Sequence, residues 1–251
     1  FKIMFFFKKN KIIVDCFTAN QTAYEFYPIE KSSKYIPEWW KQLPVSKELP
    51  TSRGSMSMEQ SSIKRCPGFT SLYSTGYTLP LWSDLQVSTS VNGYEYMFAN
   101  SAFEPGIERH NEWQYGDEFN NYWHMKIFSP WMLAQNKKCD FLMSPVIWNT
   151  PEHWSNFTIL PGVVDFKHQH STNINLFFEK SREKVLVSAG TPLYQIMPLT
   201  DADVECKIHL VDHVEINRLN KRNAGTFTNT YKNTKRLILE KEKKCPVGFI
   251  K

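Results

Sequence analysis

Two histidines, His168 and His170, stand two positions apart within the stretch Leu160 to Leu199. Side chains at that spacing on a β-strand share one face, so a strand here presents both imidazoles together. Paired imidazoles suit a first-row transition metal, which makes His168 and His170 the candidate metal ligands. A plainer reading competes: two histidines on the wet face of a strand. The surrounding stretch reads as a turn at Pro161-Gly162 and a strand to about His170. A second strand runs from Asn173 to Phe178, a third around Val185 to Val187, and a last one ends near Met197 after a turn at Ala189-Gly190. In a purely structural account, Gly162 and Gly190 permit the turns, Val163 and Val164 enter a core, Asp165 caps a turn and Gln195 is a polar group at a strand end.

A second cluster runs from His110 to His124. It mixes aromatic and polar side chains, the composition of a surface that stacks flat groups or sugars. His110, Trp113, Tyr115, Trp123 and His124 are its candidate ligand-binding residues, with His153 and Trp154 along one rim. The alternative is a long connection whose aromatic rings pin it to a sheet. Glu108, Glu112, Asp117 and Glu118 show no metal-ligand spacing. The chain carries no Gly-x-Gly-x-x-Gly, P-loop, Gly-x-Ser-x-Gly or His-Glu-x-x-His sequence, which weighs against dinucleotide dehydrogenases, P-loop NTPases, typical serine hydrolases and zincin proteases.

The elements that must hold these residues are mostly strands. Phe1 to Phe17 reads as two short strands joined by Lys8-Lys9-Asn10-Lys11. Residues 29–43 read as a short helix with Pro37 in its first turn and Trp39, Trp40 and Leu43 as its apolar stripe. Glu48 to Ser62 is polar and rich in Ser, a loop. From Ile63 to Val187, runs rich in Tyr, Phe, Trp, Thr and Val are separated by Pro67-Gly68, Asn92-Gly93, Pro105-Gly106, Asn136-Lys137-Lys138 and Pro161-Gly162. Asn92-Gly93 between Leu85–Val91 and Tyr94–Phe98 predicts a hairpin. After Pro198 the pattern turns helical, and Thr230 to Lys244 is amphipathic.

The 251 residues suffice for one large domain, and 41% hydrophobic with 15% aromatic content is that of a folded chain rather than a disordered one. No apolar run approaches a membrane span. The net charge of +5 is unevenly placed: Ile216 to Lys251 holds ten Lys/Arg against two acids, leaving residues 1–215 at −3. That tail is a candidate contact for nucleic acid, or simply a solvated helix face. Five cysteines at wide spacing, with no Cys-x-x-Cys, argue against a zinc ribbon or a disulfide framework and for a reducing compartment. The apolar start is followed by Lys8, Lys9 and Lys11 without a small-residue cleavage site, so the expectation is a cytoplasmic protein.

Three resemblances bear on function. Gly162, His168 and His170 are spaced as in the first motif of the cupins, which implies a metal-dependent oxygenase. The Glu that the cupins place next falls within Asn173 to Asn175 here, and no His lies near Pro192. Gly162-Val163-Val164-Asp165 and Gly190 to Ile196 resemble the core of dUTPases and dCTP deaminases. That likeness implies a β-clip topology, Asp165 as the catalytic carboxylate orienting a water, and His168 where the family stacks a Tyr on the base. Thr78 stands where the family's first motif has Asp, and Ser129-Pro130-Trp131 lacks its phosphate-binding Arg. Finally, Pro37 to Pro44, Ile63 to Phe69, Leu79 to Asp84 and Gly162 to Pro198 together resemble an uncharacterised family of about this length from bacteria and tailed, chiefly marine, phages.

The sequence therefore predicts an all-β fold, a mostly antiparallel sandwich or β-clip-like barrel, with a short N-terminal helix and a helical C-terminal segment. Residues 1–200 form the β-rich domain, and 201–251 a basic, mainly helical appendage packed on it. The expected function is a ligand-binding or accessory protein for a small molecule. Its alternatives are a nucleotide hydrolase using Asp165, a metal oxygenase using His168 and His170, and a virion or assembly component. No cofactor follows from the residues. A homo-oligomer is compatible with them, and no membrane partner is expected.

Overall fold

The structure, a computed structural model, describes residues 11–50, 57–103, 106–146, 157–180 and 184–223. In chain order the strands are β1 (Ile12–Thr18), β2 (Glu30–Lys31), β3 (Ser46–Pro50), β4 (Ser57–Ser61), β5 (Tyr77–Pro80), β6 (Leu85–Thr89), β7 (Tyr94–Phe98), β8 (Ile107–Arg109) and β9 (Tyr122–Ile127). They continue with β10 (Met132–Gln135), β11 (Phe141–Pro145), β12 (Phe157–Ile159), β13 (Gly162–Val164), β14 (Ile174–Glu179), β15 (Lys184–Val187), β16 (Pro192–Pro198) and β17 (Val204–Leu210). The helices are α1 (Gln21–Phe26), α2 (Glu38–Gln42), α3 (Pro67–Ser74) and α4 (His213–Asn223). The fold is thus all-β and mostly antiparallel, with a helix near each end of the described chain. Among the described residues no helix is long and apolar enough to cross a membrane.

The strands make a five-stranded sheet in the order β13-β11-β16-β5-β2, a four-stranded sheet β12-β14-β9-β8, two three-stranded sheets, β10-β1-β17 and β15-β6-β7, and the hairpin β3-β4. Alternation explains why they pack. In β1 the side chains of Ile12, Val14, Cys16 and Thr18 are buried while those between are half-exposed, the period-2 pattern of a strand with one face on a core. Trp82, Trp131, Phe141, Phe166 and Phe178 fill the shared interior and are almost fully buried. The β6–β7 hairpin forms where Asn92-Gly93 predicts it, with Thr89 opposite Tyr94, though its loop has four residues rather than two. Gly76 is required where it stands: its φ is +75°, and a Cβ there would meet the Ile196 carbonyl oxygen at 2.2 Å.

Several expectations change. The helix predicted over 29–43 divides into β2, a 3-10 turn at Ser32–Tyr35 and the short α2. Pro37 stands at the N-cap of α2, and Trp40 but not Trp39 is buried. The loop expected from Glu48 to Ser62 holds the end of β3 and all of β4, whose polar side chains pair across an exposed hairpin. The helical pattern expected after Pro198 begins later. Val204–Leu210 is instead a strand, lying parallel to β1 from Ile12↔Val204 to Thr18↔Leu210. On the outer side of that pair His209 Nε2 lies 2.8 Å from Asp15 Oδ1, 194 positions away in the chain. The first strand expected within Phe1 to Phe17, the helix at Thr230 to Lys244 and most of the basic tail lie outside the described residues.

Candidate functional site

Register builds the site. Strand β9 alternates Tyr122, His124 and Lys126 on one face with Trp123, Met125 and Ile127 on the other. The second set is buried in the core. Pairing with β14 sets Lys126 beside Asn175, His124 beside Phe177 and Tyr122 beside Glu179. On the other side Glu108 of β8 lies opposite Lys126, and their carboxylate and ammonium meet at 2.7 Å. The His110 amide donates to the His124 carbonyl at 2.9 Å, continuing the ladder past the end of β8. Polar and aromatic groups therefore stand in cross-strand rows on one face: Glu108–Lys126–Asn175 and His110–His124–Phe177.

The connection from 111 to 121 folds over the second row. The His110 and His124 rings stack at 4.3 Å between centroids, and Tyr115 sets its edge against His124 at 4.1 Å. Phe119 stacks on Phe177 at 5.0 Å. His124 is only 6% exposed, and neither of its ring nitrogens has a hydrogen-bond partner among the described residues. Burial, then His110 and Lys126, push its pKa down to about 4, so the ring is neutral near pH 7. His110 is lowered too, chiefly by burial and then by Lys126. Lys126 in turn holds the Glu108 carboxyl below its usual range.

Beside this cluster the same face opens into a cleft of about 710 Å³. His110, Lys126 and Asn175 border it from the sheet, Gln169, Ser171 and Asn173 from the segment before β14, and Ile216 and Asn220 from α4. Phe128, Met132, Met143 and Val164 supply its apolar wall. The volume is that of a small-molecule site, with a few hydrogen-bonding groups set in an apolar surround.

Of the residues singled out by sequence, His110, Tyr115 and His124 come together. Trp123 does not join them: it points into the core, its Nε1 donates to the Ser90 carbonyl at 2.8 Å, and the charged ends of Arg109 and Lys180 lie 4.2 and 4.4 Å from its ring centroid. Trp113 is 76% exposed on the outside of the 111–121 connection. Trp154 and His153 lie outside the described residues.

His168 and His170 do not share a strand face. Strand β13 ends at Val164, and a turn occupies 166–168. Asp165 causes this turn. Its Oδ1 accepts from the Lys167 amide at 3.1 Å, and its carbonyl accepts from the His168 and Gln169 amides at 3.0 Å, an Asx-type turn that competes with continued sheet. The Asp165 carboxylate is almost fully buried, and its Oδ2 faces His168 Nε2 at 3.7 Å. It is a turn cap within the core rather than a carboxylate on the cleft. His170 is 3% exposed, and its Nδ1 donates to the Leu133 carbonyl at 2.9 Å, while the Leu133 amide donates back to the His170 carbonyl at 2.7 Å. Among the described residues no group of three or more His, Cys, Asp or Glu side chains converges as a metal site. Gln195 is also structural: its Nε2 donates to the Leu72 and Thr75 carbonyls, closing the C-terminal end of α3.

Sequence reading missed Lys126, Asn175, Gln169, Ser171 and Asn173. The signal for the first two was the alternation of Tyr122, His124 and Lys126 against Asn175, Phe177 and Glu179. Gln169 was hidden by carrying the strand to His170, and Ser171 and Asn173 by being read as the link to, and first residue of, the next strand. Searches with protein-family models and among curated proteins gave no match to this chain.

Proposed function

We propose that the protein binds a small polar molecule with a flat or apolar portion, in the cleft between the β8–β9–β14 face and α4. The observation that carries this reading is the convergence of Asn175, Asn173, Gln169 and Ser171 with Phe128, Met132 and Met143 around about 710 Å³. Side-chain amides and hydroxyls give directional hydrogen bonds of both senses without a fixed charge. Lys126 is already matched by Glu108, so the polar lining favours a neutral ligand, of the nucleoside or monosaccharide kind, over a multiply charged one. The stacked His110–His124–Tyr115 cluster flanks the cleft, with His124 buried and His110 at the cleft's edge.

The test is thermal denaturation of the protein with a panel of nucleosides and monosaccharides at millimolar concentration. A ligand present at a hundred times its dissociation constant adds about 2.7 kcal/mol of stability, and the Asn175→Leu variant loses that increment. A panel in which no compound shifts the wild-type midpoint, or a shift that Asn175→Leu leaves intact, overturns the assignment.

A further inference from the structure

A separate site lies on the far strand pair. Parallel pairing of β1 and β17 sets Val14 beside Cys206 and Cys16 beside Ile208, so Cys16 and Cys206 are diagonal neighbours on one face. The Cys16 thiol donates to the Val14 carbonyl at 3.8 Å. The two differ in access: Cys16 is completely buried, whereas Cys206 is half-buried and lines a cleft of about 580 Å³ with Tyr77, Ile29, Lys11, Lys31 and Lys34. Tyr77 fixes the Cys206 backbone. Its hydroxyl accepts from the Cys206 amide at 3.1 Å and donates to the Val204 carbonyl at 3.2 Å. One accessible thiol backed by one inaccessible thiol is the arrangement of a reacting and a resolving cysteine.

We propose that Cys206 and Cys16 form a reversible dithiol–disulfide site, opened to small hydroperoxides through the cleft at Cys206. The Cys206 sulfur attacks the peroxide; an S–O bond forms, the O–O bond breaks, and the leaving oxygen departs with the thiol proton as alcohol or water. Cys206 is oxidised to the sulfenic acid and the peroxide is reduced by two electrons. The Cys16 sulfur then attacks the sulfenic sulfur; the S–S bond forms, the S–O bond breaks, and hydroxide leaves with the Cys16 proton as water. Cys16 takes the second step by its position on the neighbouring strand. Cys206 beside it, then burial and the Asp15 charge, hold its pKa well above the ordinary thiol value, which slows its attack and keeps it from reacting with peroxide itself. The bond ties β1 to the strand that leads into α4.

The experiment treats the reduced full chain with hydrogen peroxide, alkylates remaining thiols and maps peptides by mass spectrometry. The expected product is an intrachain Cys16–Cys206 link, lighter by two hydrogens and reversed by dithiothreitol, with exposed Cys66 reporting unassisted oxidation. In Cys16→Ser the Cys206 sulfenic acid persists and is trapped by dimedone. In Cys206→Ser, which leaves the buried position untouched, Cys16 stays reduced. Alkylated Cys16 in oxidised wild type, with Cys206 unreacted, overoxidised or linked to another partner, overturns the proposal.

Discussion

The Asp165–His170 turn and the His110–His124 face contain the same kinds of side chain and use them in opposite ways. In the turn, Asp165 binds the Lys167 amide and His170 binds the Leu133 carbonyl. These groups hold the backbone where the strand stops. On the face, the backbone is already satisfied by β8, β9 and β14, and the His110 and Asn175 side chains border a cleft beside the Lys126–Glu108 pair. The difference teaches that residue type marks where chemistry could occur, while the hydrogen-bond inventory decides where side chains remain available for it.

His170→Ala breaks the turn side of this contrast most severely. It removes a buried ring and the partner of the Leu133 carbonyl, and is expected to cost about 3 kcal/mol in denaturant unfolding, with ligand binding at the cleft retained in the folded fraction. Acid acts on the face. His124 has a folded pKa of about 4, below the unfolded value near 6.5, so the unfolded chain binds the extra proton. Its effect is negligible well above pH 6.5, sets in near that pH and grows as pH falls toward 4, reaching about 2.5 kcal/mol of destabilisation at pH 4.5. Unfolding curves between pH 7.5 and 4.5 measure it. His124→Leu sharpens the point. Replacing a ring whose nitrogens bond nothing by an apolar group of similar size is expected to change stability at pH 7 by less than about 1 kcal/mol. It also flattens the acid limb, leaving the smaller share due to His110. The smallest expected effect is the stability change of Asn175→Leu, within about 0.5 kcal/mol at this half-buried position, which separates its loss of ligand from any loss of fold.

Much of the architecture was legible because alternation and turn residues are local signals. Leu85 to Phe98 announces its hairpin, and the run from Asn173 to Phe178 reads as the strand that became β14. Some of what was missed was also local. Val204–Leu210 alternates apolar with polar residues throughout, a strand signal that the helical reading of the segment after Pro198 passed over, whereas β3 and β4 have few apolar residues with which to announce a hairpin. For the site, His110, Tyr115 and His124 were found because aromatic and imidazole groups cluster there. Trp123 was misplaced for want of a strand phase: one residue's shift sends a side chain to the opposite face. His168 and His170 were misread because the spacing argument assumed a strand that Asp165, by bonding its own backbone, brings to an end.

The parallel pairing of β1 with β17 also bears on how the chain is made. During synthesis from the N-terminus, β1 can meet β10 early, but its other edge stays open until Val204 to Leu210 has left the ribosome. Contacts across such sequence distances form late and slowly, and an unpaired strand edge invites pairing with a neighbouring nascent chain. The period between emergence of β10 and emergence of β17 is therefore when this protein most needs a chaperone, and messages stalled in that interval leave the product most prone to aggregate.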